Sequence, residues 1–328
     1  MMEPIQDFGA TSSVSITILV DNRADLGARS SESVKRFHKE PLLAEHGFAA
    51  LIDLHDAGVR ILWDAGMTRI ALLENARCMK VDLTTIDAIA VSHGHGDHTA
   101  ALTDVLAAIG RQPSPRDWPA DVTEAQVDAW LASRSVPLIL HPAALYERWE
   151  DRKDSRKRGP ETPPYGEWEA AGARIIASAG PYRLGPGCWT TGAVPRKSFE
   201  TAGIPERMLY RKDGAFYPDR VEDDQAIVIH VSGKGLIVLA GCAHAGIVNT
   251  IHHAREISGV DTVWAVLGGF HLMRASADEI DRTIAEVKAF EPHLVSPAHC
   301  TGFEATCAFA RELPASFVPG AVGTTYLF

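Results

Sequence analysis

The sequence predicts a mixed α/β fold in which two sheets are covered by outer helices. Two observations predict it: hairpin-like pairs of apolar runs occur in both halves of the chain, and the last third alternates strand, helix, strand. With 328 residues and 46% hydrophobic content the chain can bury a full core, as one large domain or two modest ones.

The first run is Ser15 to Val20. Phe48 to Leu54 and Val59 to Trp63 flank the turn-forming His55-Asp56-Ala57-Gly58 and predict a hairpin. Ile86 to Val91 is a further strand that runs straight into a histidine cluster. After it, Ala101, Leu102, Val105, Leu106 and Ile109 recur at helical spacing, which sets the cluster on a strand-to-helix loop. Short strands follow at Val136 to His141 and Trp189 to Gly192. Between and after them lie stretches rich in Pro, Arg and acidic residues; we read 111–135, 151–172 and 195–223 as insertions, the last an irregular lid. The last third holds a hairpin (Ala226 to Val231, Gly235 to Ala240), a helix from Ile247, a strand at Thr262 to Leu267, a helix using Ile280, Ile284 and Val287, and a strand at Leu294 to Ser296.

A formal net charge of −10 disfavours a polyanion, so no nucleic-acid partner is expected. The mixed-sign stretch Arg148 to Arg158 reads as solvated surface. Five scattered cysteines without a Cys-x-x-Cys pair argue against a disulfide framework or a zinc knuckle and fit a reducing compartment. No basic leader and no run of 18 apolar residues is present, so the expectation is a cytoplasmic protein with no membrane partner; oligomeric state is not readable.

The chemistry lies in His93-Gly94-His95-Gly96-Asp97-His98. Imidazole and carboxylate are the ligands that intermediate metals prefer, and four such side chains in six residues mark a metal site. In an extended loop His93 and His95 project to one side, whereas Asp97 and His98 lie beyond the turn, a spacing that suggests two ions. Gly94 and Gly96 are expected to relieve crowding in the loop. A catalytic ion needs about three protein ligands, so more must come from elsewhere. Cys242 and His244, His271, and His299 each follow an apolar strand, where loops converge on one sheet edge. The other histidines, His38, His55, His141, His230, His252, His253 and His293, lack that setting and read as structural.

The run His93 to His98 resembles the His-x-His-x-Asp-His signature of the metallo-β-lactamase superfamily, and Asp64 in Trp63-Asp64-Ala65-Gly66 looks like its upstream Asp, which supports the metal loop. Further stretches resemble one branch, that of the archaeal dihydropterin-ribofuranosylaminobenzene-phosphate synthases and related bacterial metal-dependent hydrolases. They are Leu19 to Asn22, Glu45 to Phe48, Thr191 to Arg196, Asp223 to Ala226, Gly241 to Gly246, Gly268 to His271 and Pro297 to Gly302. The resemblance implies a four-layer αββα sandwich over nearly the whole of 1–328, read as one domain with metals at one edge of the sheets. It departs at two points: Gly192 to Arg196 holds no third-site histidine, and Cys242 stands where a bridging Asp is usual. We therefore expect one ion on His93, His95 and His244 and another on Asp97, His98 and His299, with Cys242, His271 and Asp64 at or near the metal.

The expected cofactor is two divalent transition metals, zinc foremost, with iron or manganese compatible. The expected function is hydrolysis of a phosphoester or acyl small-molecule substrate, a phosphorylated pterin-like compound being implied by the branch, with Asp97 and His98 catalytic and with Arg196, His46 and Asn22 contacting substrate. The alternatives are an iron-dependent oxidoreductase and a non-catalytic protein binding a metal or small molecule.

Overall fold

The computed structural model describes residues 4–111, 117–152 and 156–328. Parts of two expected insertions, 112–116 and 153–155, lie outside the described residues, as do residues 1–3.

Eight strands form the first sheet, in spatial order Val34–Arg36, Thr324–Leu327, Val14–Val20, Ala49–Leu54, Val59–Trp63, Ala88–Ala90, Val136–Leu140 and Ala173–Ala177. Six form the second: Tyr182–Gly185, Cys188–Thr190, Ala226–Val231, Gly235–Ala240, Val263–Gly269 and Leu294–Ala298. Inward-facing residues of both sheets share one core, with Ile16, Phe48, Ile52 and Trp63 from the first meeting Ile227, Ile229, Ile237 and Leu239 from the second. Phe48 and Trp63 are fully buried, each worth about 1.5–3 kcal/mol by transfer out of water.

The strand runs are apolar on both faces because each sheet is covered twice. Leu51, Leu62, Ile89 and Leu138 turn outward to meet Leu72, Val105, Leu106 and Trp168, contributed by helices Arg69–Met79, Leu102–Ile109 and Tyr165–Ala170. On the opposite side Val266 and Val295 meet Ile247, Ile251, Ile284, Val287 and Phe309 from helices Ile247–Ser258, Ala277–Ala289 and Phe303–Glu312. The result is helix, sheet, sheet, helix, the expected αββα sandwich. None of the described helices is long and apolar enough to cross a membrane.

The insertions depart from expectation. Stretch 195–223, read as irregular, contributes strands Met208–Lys212 and Ala215–Pro218, and these join Glu147–Asp151 and Lys157–Glu161 in a third, four-stranded sheet. Stacked Tyr146, Tyr210 and Tyr217 bind it together, a cross-strand aromatic pattern that no alternation in the sequence advertised. Stretch 111–135 holds a helix, Glu124–Ser133, started by a Thr123–Gln126 capping box.

Arg148 also departs. Lys157 and Arg158 are exposed as a solvated stretch should be, but Arg148 is 3% exposed. Its Nε donates to Asp219 at 2.8 Å, and one terminal nitrogen donates to both oxygens of Asp223 at 2.8 and 2.9 Å. Two buried carboxylates compensate the buried guanidinium, which composition in a sequence window could not reveal.

Candidate metal centre

Strand Ala88–Ala90 delivers the chain to Ser92 and His93, and a single helical turn, Gly96–Thr99, carries Asp97 and His98. The loop is tied from several sides. Phe48 N donates to Asp97 O (3.2 Å), Ala65 N to His98 O (2.8 Å) and Gly94 N to the Asp223 carboxylate (2.7 Å). Arg148 thus braces the loop through Asp223. Gly94 is required there, since a Cβ would collide with the Arg148 guanidinium and lie 2.5 Å from Ala144 O. Gly96, expected to share that role, has nothing within 4 Å of the place a Cβ would occupy, so crowding does not demand glycine at that position.

The later residues arrive from neighbouring strand ends: Cys242 and His244 after Gly235–Ala240, His271 after Val263–Gly269, His299 and Cys300 after Leu294–Ala298. These three strands are parallel, so their C-terminal ends open on one edge. Backbone strain concentrates there. Asp64, Ala243, His271 and His299 all take left-handed φ between 46° and 58°, costly for side chains with a Cβ and typical of functional sites.

The rings of His93, His95 and His244 lie 4.5 to 4.9 Å apart, centroid to centroid. Ligand atoms of His93, Cys242 and His244 fall within 4.8 Å of one another, as do those of His93, His95 and Asp97. Asp97, His98, Cys242 and His299 form another such group, and Cys242, His271 and Cys300 a further one. The two triads expected from the sequence are therefore brought together side by side, with the Cys242 thiol between them.

His93, His98, His244 and His299 are each held through Nδ1, and His93 Nε2 faces His95 Nδ1 at 3.0 Å. His98 Nδ1 donates to Asp64 (2.7 Å), and its Nε2 faces Cys242 Sγ at 3.1 Å. Ser92 Oγ donates to Asp64 (2.8 Å) and so accepts from His93 Nδ1 (2.9 Å). His244 Nδ1 donates to Gly203 O (2.7 Å) and His299 Nδ1 to Asn22 Oδ1 (2.9 Å). Nε2 of His95 and His244 is buried without a hydrogen-bond partner among the described residues, and Nε2 of His299 faces Asp97 Oδ2 at 3.3 Å. Such fixed tautomers, with lone pairs converging on one place, are how proteins present histidines to metal ions, and the donor set fits divalent cations.

Electrostatics divide the imidazoles: His95 is neutral, whereas His98 holds a proton that an entering cation would displace. Burial opposes protonation of His98, but Asp64 and Asp97 outweigh it and raise its pKa to about 9. Burial would raise Asp97, yet His98, His299 and His46 hold it far below the usual carboxylate range. Burial and Arg148 together keep His95 neutral, as a ligand must be.

The remaining expected residues divide. His46 Nε2 lies 3.3 Å from Asp97 Oδ2, half-exposed on a cavity of about 760 Å³. Asn22 sits behind the imidazoles, accepting from His299 Nδ1 and donating to His299 O (3.2 Å), so it orients His299 and is absent from the cavity wall. Arg196 corrects its expectation most clearly. Its guanidinium donates to the backbone carbonyls of His244 and Arg220, and it too is absent from the wall, so its hydrogen bonds hold the chain rather than a substrate. The wall carries Met67, Met208, Met273, Ile204, Glu161, Glu206 and Arg274 as well as His95, Asp97, His244 and His271. Residues 201–208 of the expected lid and Glu161 of the third sheet thus help enclose the cavity.

Sequence reasoning missed Asp223, Arg148, Arg274 and Cys300. Asp223 and Cys300 lay inside stretches already singled out; Arg148 and Arg274 had no local signal. The seven histidines set aside do not enter the cluster. His141 caps Pro142–Leu145, His230 bonds Gly9 O, His253 bonds Thr191 O, and His293 stacks on Trp264.

Compared with known proteins, the chain matches no family model. It is 30% identical over 287 residues to the 7,8-dihydropterin-6-methyl-4-(β-D-ribofuranosyl)-aminobenzene-5'-phosphate synthase of Methanocaldococcus jannaschii, spanning 85% of this chain and 89% of that protein. Among solved structures it is similar to a metal-dependent hydrolase of the β-lactamase superfamily, with TM-score 0.69 and 23% identity over 95% of this chain and 98% of that one. It is also similar to the metallo-β-lactamase fold protein YhfI of Bacillus subtilis, with TM-score 0.51 and 11% identity over 97% and 100% of the two chains.

Proposed function

The chain belongs to the metallo-β-lactamase superfamily, in the branch of the archaeal dihydropterin-ribofuranosylaminobenzene-phosphate synthase, and from that premise we propose that it is a metal-dependent hydrolase of a phosphoester or acyl small molecule. The observation that carries the reading is the convergence of five imidazoles, the Asp97 carboxylate and the Cys242 thiol, with buried nitrogens left unpartnered. His93, His95 and His244 would hold one divalent ion and Asp97, His98 and His299 the other, with Cys242 between them. Zinc suits the mixed nitrogen, oxygen and sulfur set. When bound, such ions supply Lewis acidity that makes water a nucleophile near neutral pH and stabilises charge developing on the electrophile.

The chain's own residues do the rest. Asp64 and Asn22 fix the tautomers of His98 and His299, so that neither ring turns during reaction. His46 belongs to neither ligand set, faces the cavity and contacts Asp97, which places it to hand a proton to a leaving group. Met67, Met208, Met273 and Ile204 offer an adaptable apolar surface for the body of a substrate and help exclude water. Arg274, the cationic side chain on the wall, takes over the anion-holding role expected of Arg196. A flat ring body with an anionic group would suit this wall, and a phosphorylated pterin-like compound is the class that the relative's name brings to this reading.

The test is turnover of bis(p-nitrophenyl) phosphate and of a lactone and ester panel by zinc-loaded and chelator-treated protein. Turnover that depends on metal supports the reading. Failure on every substrate, combined with tight binding of a small molecule, would replace it with that of a binding protein.

A further inference from the structure

Two donors, His271 and Cys300, lie outside both ligand sets and group with the Cys242 that sits between those sets. Cys242, His271 and Cys300 follow three adjacent parallel strands, and their ligand atoms lie within 4.8 Å of one another. Both thiols are 2% exposed. Cys300 Sγ makes a long contact, 3.6 Å to Cys242 O, and His271 Nδ1 is buried with no hydrogen-bond partner among the described residues. A ring nitrogen of His271 lies within 4.8 Å of both sulfurs, and a buried imidazole nitrogen without a partner costs about 1–3 kcal/mol.

The backbone has been shaped to bring these groups together. Between the two cysteines runs Gly269, where a Cβ would lie 2.7 Å from Cys300 Sγ and collide with Gly241 O. Any side chain there would displace the Cys300 sulfur. His271 is held in a left-handed conformation (φ 46°) that turns its ring to within 4.2 Å of the His244 ring, centroid to centroid. The group is thus contiguous with the metal centre and reaches the cavity through His271.

We propose that Cys242, His271 and Cys300 form a further, thiolate-rich cation position beside the two ligand sets, one that takes thiophilic ions such as zinc or cadmium and refuses manganese or magnesium. The inference rests on the metal-binding reading above and goes beyond it in assigning Cys300 and His271. Each thiol binds as thiolate, its proton passing to solvent as the cation enters.

Zinc content of loaded, desalted protein, together with cadmium titration followed by thiolate-to-cadmium absorbance, tests the assignment. Cys300→Ser should bind about one ion fewer per chain than the unsubstituted protein and lose roughly a third to a half of the absorbance. His271→Ala, which keeps both thiols, should lose the same ion and serves if the serine variant fails to fold. Unchanged ion counts in both variants would overturn the third position and leave the hydrolase reading standing. Unsubstituted protein that binds no zinc at all would instead remove the reading on which it rests.

Discussion

The loop His93 to His98 and the strand ends at Cys242, His271 and His299 meet in one cluster but reach it by opposite routes. The loop packs four donors into six residues, and its shape depends on outside braces: Asp223, Arg148 and the backbone of Phe48 and Ala65 hold it. The strand ends supply few donors each, and their placement follows from parallel neighbours in a buried sheet, helped by strained φ angles. A dense local motif therefore announces itself in sequence but needs tertiary support, whereas a dispersed set is silent in sequence and is positioned by the sheet itself.

Substitutions on the two sides should break or sharpen this contrast. Asp97→Ala in the loop and His244→Ala at a strand end should each remove at least one ion and lower turnover by about a hundredfold or more, with folding retained. Equal losses, read by metal analysis and steady-state kinetics, would show that the dispersed donors matter as much as the motif; a silent His244→Ala would confine the centre to the loop. Next comes the brace. Arg148→Met leaves Asp219 and Asp223 buried without their cation and should cost roughly 3–5 kcal/mol, seen as a lower urea midpoint. A midpoint that does not move would mean that the loop stands without it. Asp64→Asn, which weakens the grip on His98, should lower zinc affinity about 10- to 100-fold in competition with a chromophoric chelator. The smallest effect belongs outside both regions: His252, packed on Phe290, should tolerate Ala with no change in turnover, and a large loss there would put the boundary of the site in the wrong place.

Much of the fold was legible because its strands are continuous apolar runs whose ends carry turn residues, and because Ile280, Ile284 and Val287 repeat at the spacing of a helix face. The third sheet was not. Its strands are exposed along much of their length, so Lys157 to Glu161 and Ala215 to Pro218 show no alternation, and they are strands by virtue of pairing. Arg274 and Arg196 show the same limit for function: identical side chains, one on the cavity wall and one bound to backbone carbonyls, distinguished by nothing in their local sequence.

By itself the sequence determined the chemistry on offer, since spacing along one loop constrains which donors can share a neighbourhood whatever the rest of the chain does. Only the tertiary structure decided which distant residues complete that chemistry: that Cys242 lies between two histidine groups, that Arg148 is buried behind Gly94, and that Arg196 is engaged by backbone carbonyls. The physical reason is that coordination, desolvation and ion pairing act over a few ångströms in space, and separation along the chain places no limit on which residues the sheets bring that close.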